Sequence, residues 1–251
     1  PPTPPPTPPP PTTLLSSAAS DVYKRQVRLF TANAAHELRT PLAVLKVHSQ
    51  LALRAEDNDE RFEAMQCVER GVDRATSLVE QLLTLARLEP EAAINEKENV
   101  QLHSLAEELI AELAPEAIKK NIEVSLDDAD CCVVTGNPGM LGVLIRNLVE
   151  NAIRYTPPSG SVDVTLISVG NTVRLRVADS GPGISAEERD KVFTRFYRSS
   201  EHEGENAENG TGLGLAIVER ICELQNGRIE LGESPQHGRR PGEKERLDPR
   251  W

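Results

Sequence analysis

Near residue 100 the spacing of the apolar residues changes, and that change divides the chain. Upstream, Phe30, Ala34, Leu38, Leu42 and Leu45 follow one another three or four positions apart. Past a polar EDND turn at 56–59, Val68, Val72, Ala75, Val79, Leu82 and Ala86 repeat the pattern. Such steps put apolar groups on one helix face, and alternating threes and fours make the seam of a bundle. Two helices are expected over 27–89. A hairpin alone buries little surface, so two copies are expected to pair as a homodimeric four-helix bundle.

Downstream the period is mixed. Residues 105–118 read as a helix and 122–126 as a strand. Asn137 suits a helix cap with Pro138 at the first position, and that helix should reach residue 154. Val162, Val164 and Leu166 alternate, as do Val173, Leu175 and Val177, about a turn at 170–171. A helix over 211–224 and a strand over 228–231 complete the pattern. The fold class is α+β: a helical hairpin over 27–90, a charged linker over 91–99, then an α/β sandwich over 100–238 with helices on one sheet face.

Both ends break these patterns. Residues 1–13 are almost all Pro and Thr, a composition that builds no core. One codon choice for DVYKRQ, residues 21–26, spells the transposon end used in tagmentation libraries. Residues 1–26 are therefore expected to be disordered and an assembly artefact, the alternative being a genuine Pro-rich linker; resequencing the junction decides between them. At the other end, NGRIELGESPQHG runs toward a hairpin turn, but 239–251 (RRPGEKERLDPRW) keeps no alternation. A frameshift near Gly238 is expected there, leaving the sheet without its last strand and with an open edge.

Composition narrows the function. Apolar residues are 38% and aromatic residues 3%, so the core must be aliphatic. A net charge of −11 argues against nucleic acid as a partner. No run approaches the roughly 18 apolar residues of a membrane span. Cys67, Cys131, Cys132 and Cys222 have no metal-ligand spacing and read as reduced packing residues.

Three clusters carry chemistry. Asn147, Asn151 and Arg154, spaced four and three, share one helix face. Two amide oxygens and a cation suit a hydrated Mg²⁺ with phosphate oxygens, since Mg²⁺ keeps much of its water; a plain polar face is the alternative. In DSGPG, Asp179 at a strand end can accept from an exocyclic amine, and Gly181 and Gly183 let a ligand come close; an ordinary tight turn is the alternative. In GTGLGLA, Gly210, Gly212 and Gly214 open a helix whose N–H groups suit phosphate. The acidic stretch 201–209 before it has no core pattern and reads as a lid.

In order and separation these clusters resemble the asparagine box and the two glycine boxes of sensor histidine kinases, with VFTRFYR (192–198) as the phenylalanine box. AAHELRTPLA (34–43) is similar to that family's histidine box. The resemblance spans about residues 27–238. It implies a gyrase- and chaperone-like ATP-binding domain, ATP and Mg²⁺ as cofactors, and a response regulator as partner. It implies that His36 is phosphorylated, since neutral imidazole is a good nucleophile near pH 7. Glu37 would hold the far ring nitrogen and take the proton, and Thr40 would orient water for dephosphorylating the regulator. Asn147 and Asn151 would bind the metal. Arg154, where the family more often has Lys, would meet the phosphates. Tyr155 would pack by the adenine and Asp179 would bind its amine. Gly181 and Gly183 would shape the pocket, the run Gly210, Thr211, Gly212, Leu213 and Gly214 would border the phosphates, and Arg198 would reach the γ-phosphate.

The resemblance also implies a parent anchored in the bacterial inner membrane, with this part on its cytoplasmic side. A conformational ATPase of the same superfamily, an anti-sigma-type serine kinase and a defective dimerising fragment are the alternatives. Finally, the apolar phase runs unbroken through Pro41. One helix is expected there, kinked, because Pro41 cannot donate to the carbonyl of Glu37.

Overall fold

The computed structural model describes residues 12–88, 97–127, 132–170, 172–199 and 210–232, with side chains from residue 28 onward. The chain divides into two compact units, Pro1–Leu78 and Val79–Trp251.

The first unit holds helix α1 (Thr12–Arg54) and most of helix α2 (Asn58–Arg87). α1 passes through Pro41 as one helix, as the unbroken apolar phase requires. It also begins at Thr12 rather than after residue 26. The disordered reading of 1–26 therefore fails from residue 12 on, because the prolines stop at Pro11 and 12–26 holds neither Pro nor Gly to break a helix. The EDND turn works as a cap: Asp57 Oδ1 accepts from Glu60 N at 2.7 Å, and Arg61 donates to Ala55 O at 3.0 Å. Within α2 the buried residues are Ala64, Gly71 and Leu78, seven apart. Gly71 is small because a methyl group there would lie 2.9 Å from Leu45 Cδ2. This row, buried within one hairpin, lies beside the expected bundle seam. Val72 and Val79 remain exposed, as do Leu42, Leu51, Phe62 and Met65.

The second unit continues with strand β1 (Glu98–Gln101), helix α3 (Leu102–Lys119), and strands β2 (Glu123–Leu126) and β3 (Val133–Gly136). Helix α4 (Pro138–Tyr155), strands β4 (Ser161–Val169) and β5 (Thr172–Asp179) and helix α5 (Gly214–Leu224) follow. β1 pairs antiparallel with β3. A second sheet has the order β2-β4-β5, with β2 parallel to β4 and β4 antiparallel to β5. The β4–β5 hairpin closes at Val169↔Thr172 around Gly170, whose φ of +60° suits a residue without a side chain. Val162, Val164 and Leu166 point to one face and meet Ala106, Leu109, Ile145, Val149 and Ile153 from α3 and α4. This is the aliphatic core the composition required.

α4 begins as its sequence dictates. Asn137 Oδ1 accepts from Met140 N at 2.9 Å, and Pro138 takes the first turn, where no donor is needed. The far end is tied down by Lys120 Nζ, which donates to the carbonyls of Ile153 and Arg154 at 3.0 and 2.7 Å.

Several expectations need correction. β1 and β3 carry too few apolar residues for a sequence pattern, and β1 starts inside the stretch read as linker. α5 starts at Gly214, not 211, because Gly212 has φ +68°. Residues 228–231 form no strand. Ile229 and Leu231 are half-buried between exposed neighbours, so the alternation is real. Among the described residues, however, β5 pairs only with β4, and alternation sets a face without supplying a ladder partner. The expectations for 1–11, 201–209 and 239–251 lie outside the described residues.

Ile145 is fully buried between the sheet and α3. Ile145→Ala is expected to cost about 3 kcal/mol, read from urea unfolding; a loss near zero would place the core elsewhere.

Candidate functional site

The site grows from one face of α4. Asn147 is buried, and its amide donates to Val143 O at 2.8 Å. That bond turns Oδ1 outward, toward the start of α5. A methyl group on Gly214 would lie 3.0 Å from Asn147 Oδ1 and 3.3 Å from Asn151 Nδ2. Only glycine lets the first turn of α5 come this close to both asparagines. The N-terminus of α5, with its free N–H groups and positive dipole end, is thus brought to two neutral amide groups.

One turn further along α4 lies Tyr155. Gly181 packs on its backbone, since a methyl group at Gly181 would lie 2.9 Å from Tyr155 O and 2.6 Å from Asp179 Oδ1. Asp179 closes the turn after β5 by accepting from Gly181 N at 2.8 Å. Gly210 approaches from the other side, its would-be methyl 3.4 Å from the Tyr155 hydroxyl. Asn147, Asn151, Tyr155, Asp179, Gly181, Gly210 and Gly214 are therefore gathered around the end of α4. Gly212 carbonyl accepts from Phe196 N at 2.8 Å. Thr211 bonds to Gln81, also of the second unit, and accepts from Leu213 N at 3.3 Å. Leu213 is wholly buried and anchors the loop. Gly183 has φ +77° with open space around it. Arg198 is exposed at the end of the phenylalanine-rich segment.

His36, in the first unit, is exposed on α1, with 75% of its side-chain surface accessible. Glu37 Oε1 lies 3.9 Å from His36 Nδ1, close enough for attraction but beyond a hydrogen bond. Nδ1 is the ring nitrogen beside the carboxylate. Thr40 is exposed one turn on.

Two family descriptions match. Residues 26–91 match the His kinase A phospho-acceptor domain. Residues 136–242 match the histidine kinase-, DNA gyrase B- and HSP90-like ATPase family. The chain belongs to the sensor histidine kinases. It is 45% identical over 206 residues to the sensor protein kinase PmrB of Pseudomonas aeruginosa, covering 82% of this chain and 42% of PmrB. It is 39% identical over 213 residues to the sensor protein QseC of Escherichia coli, covering 84% and 46%. Among solved structures, the Acinetobacter baumannii histidine kinase AdeS aligns with a TM-score of 0.60 at 25% identity, over 75% of this chain and 86% of that one. Full-length ShkA, solved with AMPPNP, aligns with a TM-score of 0.55 at 30% identity, over 82% and 43%. This histidine kinase sequence spans less than half the length of the curated relatives named here.

Charge around α4 adds residues that the sequence reading passed over. Arg146 pairs with Glu112 of α3 and lies 4.0 Å from Glu150. Burial pushes the Glu150 carboxyl above its ordinary range, against the pull of Arg154 and then Arg146, while Glu116 and Glu80 act with burial. Burial, helped by Arg154, lowers Lys120. The spacing of Arg146, Glu150 and Arg154 along one helix row was the available signal. Glu188 and Tyr197, joined by a 3.0 Å hydrogen bond, were also missed, because nine residues separate them. Of the cysteines, Cys67, Cys132 and Cys222 are free thiols, as expected, and Cys131 lies outside the described residues. Burial pushes the Cys222 thiol up, with Glu219 and Glu223 adding to it.

Two outcomes follow from this geometry. Gly212→Ala puts a methyl group 2.7 Å from Phe196 C and Tyr197 O at a φ of +68°. It should cost roughly 1–3 kcal/mol in thermal unfolding and detach the glycine loop; an unchanged melting temperature would contradict the close approach. For Glu150, the raised folded value means that its stabilising contribution is complete below the unfolded value. That contribution is lost as pH rises through the folded one. Glu150→Gln should therefore flatten the fall in melting temperature from mildly acid to neutral pH, and parallel curves for both proteins would sink this reading.

Proposed function

We propose that this chain is the kinase core of its parent: it takes the γ-phosphoryl group of ATP onto His36 and passes it to an aspartate of a response regulator. The observation that carries this is the approach of Gly214 at the start of α5 to the Asn147 and Asn151 side chains. It joins a donor-rich helix end to two neutral amide oxygens, as polyphosphate with a hydrated metal requires. The donor set fits Mg²⁺. A cation that keeps much of its water needs few protein ligands, and amide oxygens suit it. Asn147 and Asn151 would hold it, and when bound it supplies neutralisation of phosphate charge. Asp179 would accept from the adenine amine, Tyr155 would pack beside the base, and Gly181 and Gly183 would leave room for it. Arg154, the 210–214 stretch and Arg198 would face the phosphates.

In the transfer, His36 Nε2 attacks the γ-phosphorus. The N–P bond forms, the bond to the β–γ bridging oxygen breaks, and ADP leaves. Glu37, on the Nδ1 side, takes the proton as the ring gains charge. Glu37 Oε1 is the carboxylate oxygen beside Nδ1, at 3.9 Å. Thr40 would serve a separate hydrolysis, orienting water to attack the regulator's aspartyl phosphate and release inorganic phosphate.

The exposed apolar residues of α1 and α2 support a homodimer. Leu42, Leu51, Phe62, Met65, Val72 and Val79 are too many large apolar groups to leave in water on one hairpin, and a second copy covers them as a four-helix bundle. No helix among the described residues is long and apolar enough to cross a membrane. The sensor kinases it matches are about twice its length, which supports a parent whose membrane and sensory parts lie outside this sequence.

Incubation with Mg²⁺ and ATP labelled at the γ-phosphate tests this. The expected product is acid-labile labelled protein, abolished in His36→Gln. Label that persists in that variant removes His36 from the mechanism. Hydrolysis without labelled protein would favour a conformational ATPase, and acid-stable label a serine kinase.

A further inference from the structure

Between the 179–183 turn and the glycine stretch sits a buried carboxylate that the mechanism above does not use. Glu188 is 8% exposed. Its Oε1 accepts from the Tyr197 hydroxyl at 3.0 Å, and its Oε2 accepts from Ser185 Oγ at 3.1 Å. Next to Tyr197, Phe196 has φ +64°, a backbone state that a residue with a bulky side chain holds only when its surroundings force it. Phe196 N donates to Gly212 O at 2.8 Å, and Gly212 stands at φ +68° with Phe196 and Tyr197 backbone where a side chain would begin. The connections therefore run without a gap from Ser185, through Glu188 and Tyr197, to Phe196 and Gly212. A buried carboxylate bonded through both oxygens is costly to displace, because any loosened oxygen loses water and partner together. It is a stiff point from which to hold two left-handed residues face to face.

We propose that Glu188 is a positioning residue for the phosphate end of the nucleotide site. Through Tyr197 and Phe196 it sets the place of Gly212, and with it the backbone N–H groups of the first turn of α5, from Gly214 on. This rests on the nucleotide reading above. The adenine end is held separately, by Asp179 at the end of a strand paired along its length with β4. Loosening Glu188 therefore weakens the grip on the terminal phosphates and leaves the grip on the base.

Titration calorimetry of the full chain with ADP and with AMP, each with Mg²⁺, tests this in Tyr197→Phe and Glu188→Ala. ADP affinity should fall about tenfold, the equivalent of one charge-assisted hydrogen bond. AMP affinity should move less than about twofold, and the double variant should be no worse than Glu188→Ala. A structural role alone would lower both affinities together. Equal losses for ADP and AMP, or no loss in Tyr197→Phe, overturn the proposal. Tyr197→Phe keeps the ring and carries the test if Glu188→Ala does not fold. An unmutated chain that binds neither nucleotide would instead overturn the nucleotide reading, and this one with it.

Discussion

The second unit is organised by one close approach, that of the first turn of α5 to the asparagine face of α4. The separation is set by what is missing at Gly214: a side chain there would strike Asn147 Oδ1 and Asn151. Everything that makes the place useful follows from this. Asn147 spends its donor on Val143 O within its own helix, so its oxygen remains to face the start of α5. The helix end contributes N–H groups that have no partner inside α5. A helix face and a helix end that are each ordinary alone become a site able to hold charge.

That approach needs rigid supports on both sides. α4 is pressed on the sheet by Ile145, Val149 and Ile153, capped by Asn137 at one end and tied by Lys120 at the other. α5 is seated by Leu213, Ile217 and Ile221, all fully buried. Between β5 and α5 the described residues 180–199 and 210–213 form no helix or strand, and there a polar lattice replaces the apolar core. Asp179 holds Gly181 N, Glu188 holds Ser185 and Tyr197, and Phe196 holds Gly212. Hydrogen bonds suit this role because they fix direction as well as distance.

Much of this was legible along the chain. The period of α1 and α2, the Asn137–Pro138 start of α4 and the alternation of β4 and β5 are local signals, and the structure follows them. Where the reading failed, the missing information was a partner. The four-residue strands β1 and β3 exist because each pairs with the other across more than thirty positions. Residues 228–231 carry a strand pattern and form no strand, because no ladder meets them among the described residues. Which residues of α2 pack inside one hairpin was not legible, since Val72 and Gly71 are neighbours and only packing shows that Leu45 lies over Gly71.

By itself the sequence determined the two-part architecture, the aliphatic core, the passage of α1 through Pro41, and the motifs that mark the family. These depend on residue type and on spacings of a few positions, which one strand of text contains. Tertiary structure decided which of those residues meet. It turned Asn147 toward α5, put Gly181 under Tyr155, set Glu37 beside rather than on the ring of His36, and joined Glu188 to Tyr197. Contacts of that kind are selected by the packing of distant segments, where a fraction of an ångström separates a fit from a clash, and local propensity carries no record of them.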